Sequence, residues 1–206
     1  MARYFDLHPV TPQARSVAQV VAMLREGALI AYPTDSGYAL GCTMENHEGP
    51  DRIRRIRRLS SRHDFTLVCA SFGQLGQLVR LGNSAFRAIK ASTPGPYTFI
   101  LPATGEVPRR LAHPKKKTVG VRIPDNAVCQ ALLSELGEPL LSSTLILPDH
   151  EDSPTDGWSI KEQLEHVLDA VVDAGEVIAQ PTTVVDWSED YPEIRRYGSG
   201  DTARFE

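Results

Sequence analysis

Residues 28–41 read ALIAYPTDSGYALG, and this stretch decides the fold prediction. Residues 28–32 are all apolar, which is typical of a short β-strand covered by helices on both faces. Residues 33–41 combine a proline, hydroxyl groups, one carboxylate and two glycines. Because ligands bind beyond the strand ends of open α/β sheets, we expect a binding site in this segment. An ordinary turn with Asx-type hydrogen bonds explains the same residues equally well.

Helical and strand patterns extend outward from this stretch. Thr11 and Pro12 predict an N-cap and a first helical position, and Gly27 closes that helix. Further helices are predicted around residues 53–59, 75–81, 85–91, 126–136 and 159–168. Further strands are predicted over residues 66–70, 97–101, 119–123, 140–147, 170–172, 182–187 and 193–197. This mixed order, without repeats or Gly/Ser linkers, predicts a single α/β (α+β) domain over residues 1–206.

The composition favours a soluble, cytoplasmic protein. With 206 residues, of which 41% are hydrophobic, the chain can bury a core without disulfide or metal support. Its three cysteines are odd in number and far apart, which favours a reducing compartment. The N-terminus lacks an export signal, and no run of 18 apolar residues occurs, so neither secretion nor membrane insertion is predicted.

The charge distribution is polarised although the net charge is only −4. Half of the 22 basic residues lie in segments 52–62 and 109–117, whereas segment 149–193 is acidic and has Lys161 as its one Lys or Arg. Arginines one helical turn apart suit phosphate oxygens or an RNA backbone. The alternative is a solvated helix face that pairs with the acidic segment, and a solvated loop for segment 109–117. The candidates for RNA binding are Arg54, Arg58, Arg62, Arg109, Arg110, Lys115, Lys116 and Lys117.

Individual residues point to ligand contacts but to no metal chemistry. Arg122 interrupts an apolar strand, where a charge needs a carboxylate or phosphate partner, and a structural salt bridge would satisfy it equally. Thr98 follows a rigid Pro-Gly-Pro turn and offers a hydroxyl group. The six histidines show no metal-ligand spacing, and the chain has no CxxC, Gly-x-Ser-x-Gly or Walker-type motif. Zinc chemistry, a hydrolase triad and a P-loop are therefore not predicted.

Six motifs in order resemble the YrdC/YciO family and cover nearly the whole chain. They are YPTDSGY at 32–38, PGPYT at 94–98, VRIP at 121–124, DAG at 173–175, PTTVVD at 181–186 and RYG at 196–198. The pattern at 36–38 and 145–148 is most similar to the YciO branch. The resemblance implies a twisted mixed sheet flanked by helices, with a basic cavity. It also implies relatives that make threonylcarbamoyl-AMP from L-threonine, bicarbonate and ATP for tRNA modification.

The resemblance also implies binding residues, although it assigns no catalytic residue. The implied threonine site comprises Thr34, Arg122, Ser142 and Thr182, with Arg122 on the carboxylate. The implied nucleotide site comprises Arg57, Thr98, Thr144 and Arg196. Mg²⁺ is expected to accompany ATP because metal-bridged phosphates are the usual way to neutralise a triphosphate. No protein-bound metal is implied.

Two departures from the synthase pattern leave the activity open. The family's Lys-x-Arg motif corresponds here to Arg57-Arg58-Leu59, and its Ser-Ala-Asn motif to Thr144-Leu145-Ile146. Losing a buried hydrogen-bonding group costs about 1–3 kcal/mol, so both changes weaken the synthase pattern. The hypotheses are a threonylcarbamoyl-AMP synthase with weakened activity and a non-catalytic module that binds double-stranded RNA or tRNA. A third is a binding protein for another nucleotide or small acid.

Overall fold

The computed structural model describes residues 1–61, 63–148 and 154–206, which contain ten strands and six helices. The strands are β1 (Arg3–Asp6), β2 (Ile30–Thr34), β3 (Gly37–Thr43), β4 (Thr66–Val68), β5 (Tyr97–Pro102), β6 (Thr118–Arg122), β7 (Leu140–Thr144), β8 (Ala170–Asp173), β9 (Thr183–Asp186) and β10 (Glu193–Arg196). The helices are α1 (Ala14–Arg25), α2 (Gly49–Arg57), α3 (Phe72–Leu78), α4 (Asn83–Ser92), α5 (Ala127–Leu136) and α6 (Gly157–Leu164).

All ten strands belong to one mixed sheet, in the order β1-β8-β2-β3-β7-β4-β6-β5-β9-β10. The sheet combines parallel pairs, such as β4 with β6, and antiparallel pairs, such as β5 with β6. The predicted fold class, a single-domain mixed sheet flanked by helices, is confirmed. No helix within the described ranges is long and apolar enough to cross a bilayer.

The stretch that opened the sequence analysis forms the hairpin β2–β3 at the centre of this sheet. Thr34 pairs with Gly37 across a tight turn, and Gly37 has a φ of 110°, which favours glycine. Every residue of both strands is buried. The turn given as the alternative for residues 33–41 is therefore present, but it is confined to two residues, and the chain then continues as a second buried strand that was not predicted.

Two apolar clusters pack on the sheet. One cluster joins α1 and α5 to strands β2, β3 and β8, and the other contains the buried residues of α2, α3, α4 and α6. On the side of α1 and α5, the next part of the sheet, formed by β4, β6, β5 and β9, lines a cavity instead. The incomplete cover of one sheet face therefore positions the candidate site.

The element boundaries differ from the predictions at a few places. α1 begins at Ala14 with Gln13 as its N-cap, rather than with Thr11. The strand predicted over 140–147 ends at Thr144, and the chain turns directly afterwards, where the amide of Ile146 donates to the carbonyl of Thr144 at 3.1 Å. β1 was not predicted. It is a four-residue edge strand with charged ends, which pairs in parallel with β8.

Candidate functional site

A cavity of about 300 Å³ opens over the uncovered part of the sheet. Alternate residues of neighbouring strands form its floor, because side chains two positions apart point to the same face of a strand. Short side chains predominate there, among them Thr66, Thr98, Gly120 and Ser142. Seven of the eight residues implied as binding residues line this one cavity, namely Arg57, Thr98, Arg122, Ser142, Thr144, Thr182 and Arg196.

Arg122 lies on one side of the cavity with its guanidinium group already bound by the protein. Nη1 donates to Ser36 Oγ at 2.7 Å, and Nη2 forms an ion pair with the carboxylate of Asp35. The other oxygen of Asp35 accepts from the backbone amide of Asp125 at 2.9 Å. The expectation of a carboxylate partner for Arg122 is confirmed. Its Nε is buried and has no hydrogen-bond partner among the described residues.

Arg196, from the last strand, contacts only neutral groups in the described part of the chain. Nε donates to the carbonyl of Thr182 at 3.0 Å, and Nη2 donates to Thr182 Oγ1 at 2.9 Å. The hydroxyl groups of Thr98 and Thr182 lie 3.0 Å apart. Burial lowers the pKa of the Arg196 guanidinium, and the charge of Arg122 lowers it further. Arg196, Thr182 and Thr98 therefore form one connected hydrogen-bonded group at the cavity.

Arg57 reaches the cavity from the last turn of α2. Its Nη1 donates to Ser143 Oγ, and its Nε donates to the carbonyl of Ile146 at 3.4 Å. Burial lowers its pKa, and no carboxylate within the described ranges pairs with it. Like Arg196, Arg57 therefore has its full charge available for a ligand.

His63 and Ser143 complete this side of the cavity, and the sequence alone did not single them out. His63 Nε2 lies 3.3 Å from Ser143 Oγ, and the imidazole packs against the ring of Phe65. Burial lowers the pKa of His63, and the charges of Arg57 and Arg54 lower it further, while Asp64 opposes them. His63 is therefore neutral at pH 7. Only the fold relates it to the site, through its position just before β4.

The hydroxyl groups of Thr34 and Ser142 are already used within the fold. Thr34 is only 2% exposed and lies outside the cavity wall, and its Oγ1 donates to the carbonyl of Gly37 at 2.7 Å. Ser142 Oγ accepts from Tyr32 Oη at 2.7 Å and donates to the carbonyl of Leu40 at 3.1 Å. A hydroxyl oxygen has two acceptor positions, so Ser142 retains one for a ligand.

The two departures from the synthase pattern lie in different surroundings. Leu59 is partly buried and packs against the core cluster that contains α2, and it is not part of the cavity wall. Ile146 lines the cavity, and its backbone carbonyl accepts the hydrogen bond from Arg57. The site therefore lacks the second cation of the motif and has an apolar group where relatives have an amide.

A second concavity of about 410 Å³ adjoins the first. The two share His63, Asp64, Phe65, Leu111 and His113. Of the RNA-binding candidates, Arg54, Arg110 and Lys115 line this second concavity. The exposed residues Arg58, Arg109, Lys116 and Lys117 do not line it, and Arg62 lies outside the described residues.

The arginines of α2 divide between internal pairing and the cavities. Arg52 pairs with Asp169 of the acidic segment at 2.6 Å, so the alternative of a paired helix face is correct for this residue. Arg54 pairs with Asp51 at 2.8 Å, and its guanidinium lies over the ring of Phe65. The charged face of the helix is therefore neutralised at its start, and its end reaches the cavity.

The cavity wall suits a cation that arrives with phosphates better than a resident metal. The described residues contain no group of three or more His, Cys, Asp or Glu side chains that could hold a metal ion. Asp64 is the carboxylate among the lining residues within the described ranges. Mg²⁺ is usually held by one or two carboxylates together with substrate phosphates, and this wall fits that arrangement.

The Sua5/YciO/YrdC family model, described as telomere recombination, matches residues 22–198. The chain belongs to this family. The crystal structure of Escherichia coli YciO is 47% identical, with complete coverage of both chains and a TM-score of 0.95. A threonylcarbamoyl-AMP synthase of Vibrio vulnificus is 33% identical over 143 residues, which are 68% of this chain and 76% of the synthase.

A structure of P. abyssi Sua5 in complex with L-threonine is 26% identical and has a TM-score of 0.85. The match covers 95% of this chain but 57% of the Sua5 chain. The family resemblance seen in the motifs is therefore confirmed, and the family contains threonylcarbamoyl-AMP synthases.

Proposed function

We propose that this chain binds L-threonine, bicarbonate and Mg–ATP in the cavity and forms threonylcarbamoyl-AMP with release of pyrophosphate. One observation carries the proposal. Arg57, Arg122 and Arg196 come from separate elements, and their guanidinium groups line one cavity of about 300 Å³. The similarity to the V. vulnificus synthase and to the threonine-bound Sua5 supports this choice of ligand.

In this proposal the residues act mainly by positioning and by neutralising charge. Arg57 and Arg196 bind the phosphates, since neither has a carboxylate partner in the described ranges and each has spare donors. Thr98 and Thr182 add hydroxyl groups beside Arg196. Arg122 orients the threonine carboxylate. Holding the carbamate and the α-phosphorus in line accounts for the largest part of the rate enhancement.

The test is pyrophosphate release by the purified chain in the presence of Mg–ATP. We expect release that requires both L-threonine and bicarbonate, with threonylcarbamoyl-AMP identified by mass spectrometry. Arg196→Gln should abolish it, whereas the control Arg87→Gln, an exposed residue of α4, should not. Threonine-independent release, or none at high protein concentration, contradicts the proposal.

A second candidate function, binding of double-stranded RNA or tRNA, is favoured by the second concavity. Arg54, Arg110 and Lys115 line it, and exposed basic residues flank it at 109 and 116–117. Contacts with phosphates predict an affinity that falls steeply with salt concentration. A gel-shift assay at two salt concentrations tests this function, with Arg54, Arg110 and Lys115 of the second concavity changed together to Gln. Binding that survives the triple change contradicts an RNA site on this surface.

A further inference from the structure

The site contains a hydrogen-bonded pair of residues that the proposed function does not yet use. His63 Nε2 lies 3.3 Å from Ser143 Oγ, and both side chains line the cavity. Arg57 Nη1 donates to the same Ser143 oxygen. The Ser143 oxygen that accepts from Arg57 keeps its own proton to donate, and His63 Nε2 accepts that proton in the tautomer that is protonated on Nδ1. In this tautomer the hydroxyl donates from Ser143 toward the imidazole.

The surroundings of His63 favour its neutral form. The groups that face it are Arg57 and Arg54 from α2, Asp64 from its own loop and the ring of Phe65. His113, from the segment after β5, lines the same two concavities. Burial lowers the pKa of His63 and the two arginines add to the effect, so a free acceptor nitrogen is present at neutral pH.

We propose that Ser143 and His63 form a proton relay in which His63 is the general base of the reaction. This inference rests on the proposed function, because threonylcarbamoyl-AMP formation includes one step that releases a proton. Bicarbonate takes up one proton, its C–O bond breaks, and carbon dioxide and water result. The free amine of threonine then adds to this carbon dioxide. A C–N bond forms, a π-electron pair of carbon dioxide moves onto oxygen, and one N–H bond breaks. The proton passes to Ser143 Oγ while the Ser143 proton passes to His63 Nε2, which leaves the carbamate ready to attack phosphorus.

The position of the relay agrees with this step. Ser143 lines the same cavity as Ser142 of the implied threonine site, and its hydroxyl accepts a hydrogen bond from Arg57 of the implied nucleotide site. The amine must lie between these two sites for its carbamate to reach the α-phosphate. His63 also lines the adjoining basic concavity, through which the proton can leave to solvent.

The deciding experiment compares His63→Ala with the control His166→Ala, whose imidazole is 80% exposed. We expect His63→Ala to lower kcat by about 100-fold or more, the usual effect of removing a general base. The Kd for ATP should change less than twofold. In the wild type, kcat/KM should rise with pH through the His63 pKa and then level off, and this dependence should disappear in the variant. Exogenous imidazole should restore part of the rate of His63→Ala in proportion to its neutral form.

Ser143→Ala supplies an independent measurement. We expect a slower reaction and a changed His63 titration in NMR spectra, since its hydrogen-bond partner is lost. A His63→Ala variant that keeps the wild-type rate, or that is slow without imidazole rescue and with an unchanged pH profile, overturns the relay while the synthase proposal stands. If the wild-type chain forms no threonylcarbamoyl-AMP, the proposed function itself fails, and the relay fails with it.

Discussion

The cavity holds its three arginines in two different ways. Arg122 is 7% exposed and binds the carboxylate of Asp35 and the hydroxyl of Ser36. Arg57 and Arg196 donate only to hydroxyl and carbonyl oxygens in the described part of the chain. The first guanidinium is neutralised within the fold, and the other two keep a net positive charge directed at the cavity.

This difference separates stability from binding. A buried ion pair that loses one partner leaves an uncompensated charge, whereas a half-buried arginine without an acidic partner costs little to remove. Burial also lowers the pKa of Arg57 and Arg196, so an added anion would stabilise their charged forms. Arg122 is therefore expected to stabilise the fold, and Arg57 and Arg196 are expected to bind phosphate.

The largest expected effect concerns the ion pair of Arg122 with Asp35. Arg122→Met should lower the free energy of unfolding by about 3–5 kcal/mol, because Asp35 then remains buried without its partner. Urea denaturation measures the loss. The double variant Asp35→Asn with Arg122→Met is the control and should recover part of it. A loss below about 1 kcal/mol would contradict the distinction between Arg122, which stabilises the fold, and Arg57 and Arg196, which bind the ligand.

The variants Arg57→Met and Arg196→Met should each weaken ATP binding by about tenfold or more. Hydrogen bonds to charged groups contribute about 1.5–3 kcal/mol, and 1.4 kcal/mol corresponds to a factor of ten. The free energy of unfolding should change by less than about 1 kcal/mol, since only neutral partners are lost. Calorimetric titration with ATP and AMP measures the affinities. Unchanged ATP affinity in both variants contradicts a phosphate site at Arg57 and Arg196.

A smaller effect is expected at Leu59, where relatives have the second cation of their motif. Leu59→Arg should lower the free energy of unfolding by about 1 kcal/mol, because a partly buried apolar contact is lost. ATP affinity should not increase, because residue 59 lies outside the cavity wall. Leu59→Met serves as the packing control. Tighter ATP binding in Leu59→Arg would show that the missing cation can be restored from this position.

The smallest effect concerns the hydroxyl pair beside Arg196. Thr98→Val keeps the shape of the side chain and removes one hydrogen bond to Thr182, worth about 0.5–1.5 kcal/mol. Thermal unfolding and ATP titration should both show a modest decrease. Thr104→Val, at an exposed hydrogen bond to the carbonyl of Gln77, is the control and should leave ATP binding unchanged.

The helices were easier to predict from sequence than the central hairpin. Apolar spacing and the Asn126 cap, which accepts from the amide of Cys129 at 2.9 Å, gave α5 its correct limits. The sequence Thr34-Asp35-Ser36-Gly37 has the composition of a loop, so β3 was missed. Burial on both sides makes it a strand, and that burial depends on helices distant in sequence. Propensity gives way to tertiary packing at such positions.

Among the charged residues of the site, the sequence predicted a need for a partner only where a charge lies among apolar neighbours. Arg122 stood out as a charge in an apolar strand, and its need for a carboxylate or phosphate partner followed from desolvation alone. Its partner Asp35 is 87 residues away, and no local pattern links the two. His63 and Ser143 carry no such conflict, since each is an ordinary residue until the sheet brings β7 beside β4.

Gly120 lies in the floor of the cavity, opposite Thr66 of β4 and Ile100 of β5. A methyl group added there would lie 3.3 Å from Thr66 Oγ1 and 3.6 Å from Thr98 Cγ2. The main chain at Gly120 therefore faces the ligand directly, because the absent side chain leaves space for the ligand. The thickness of a ligand that can enter the cavity is therefore limited at this one backbone position, where the absent side chain leaves space for one carbon atom.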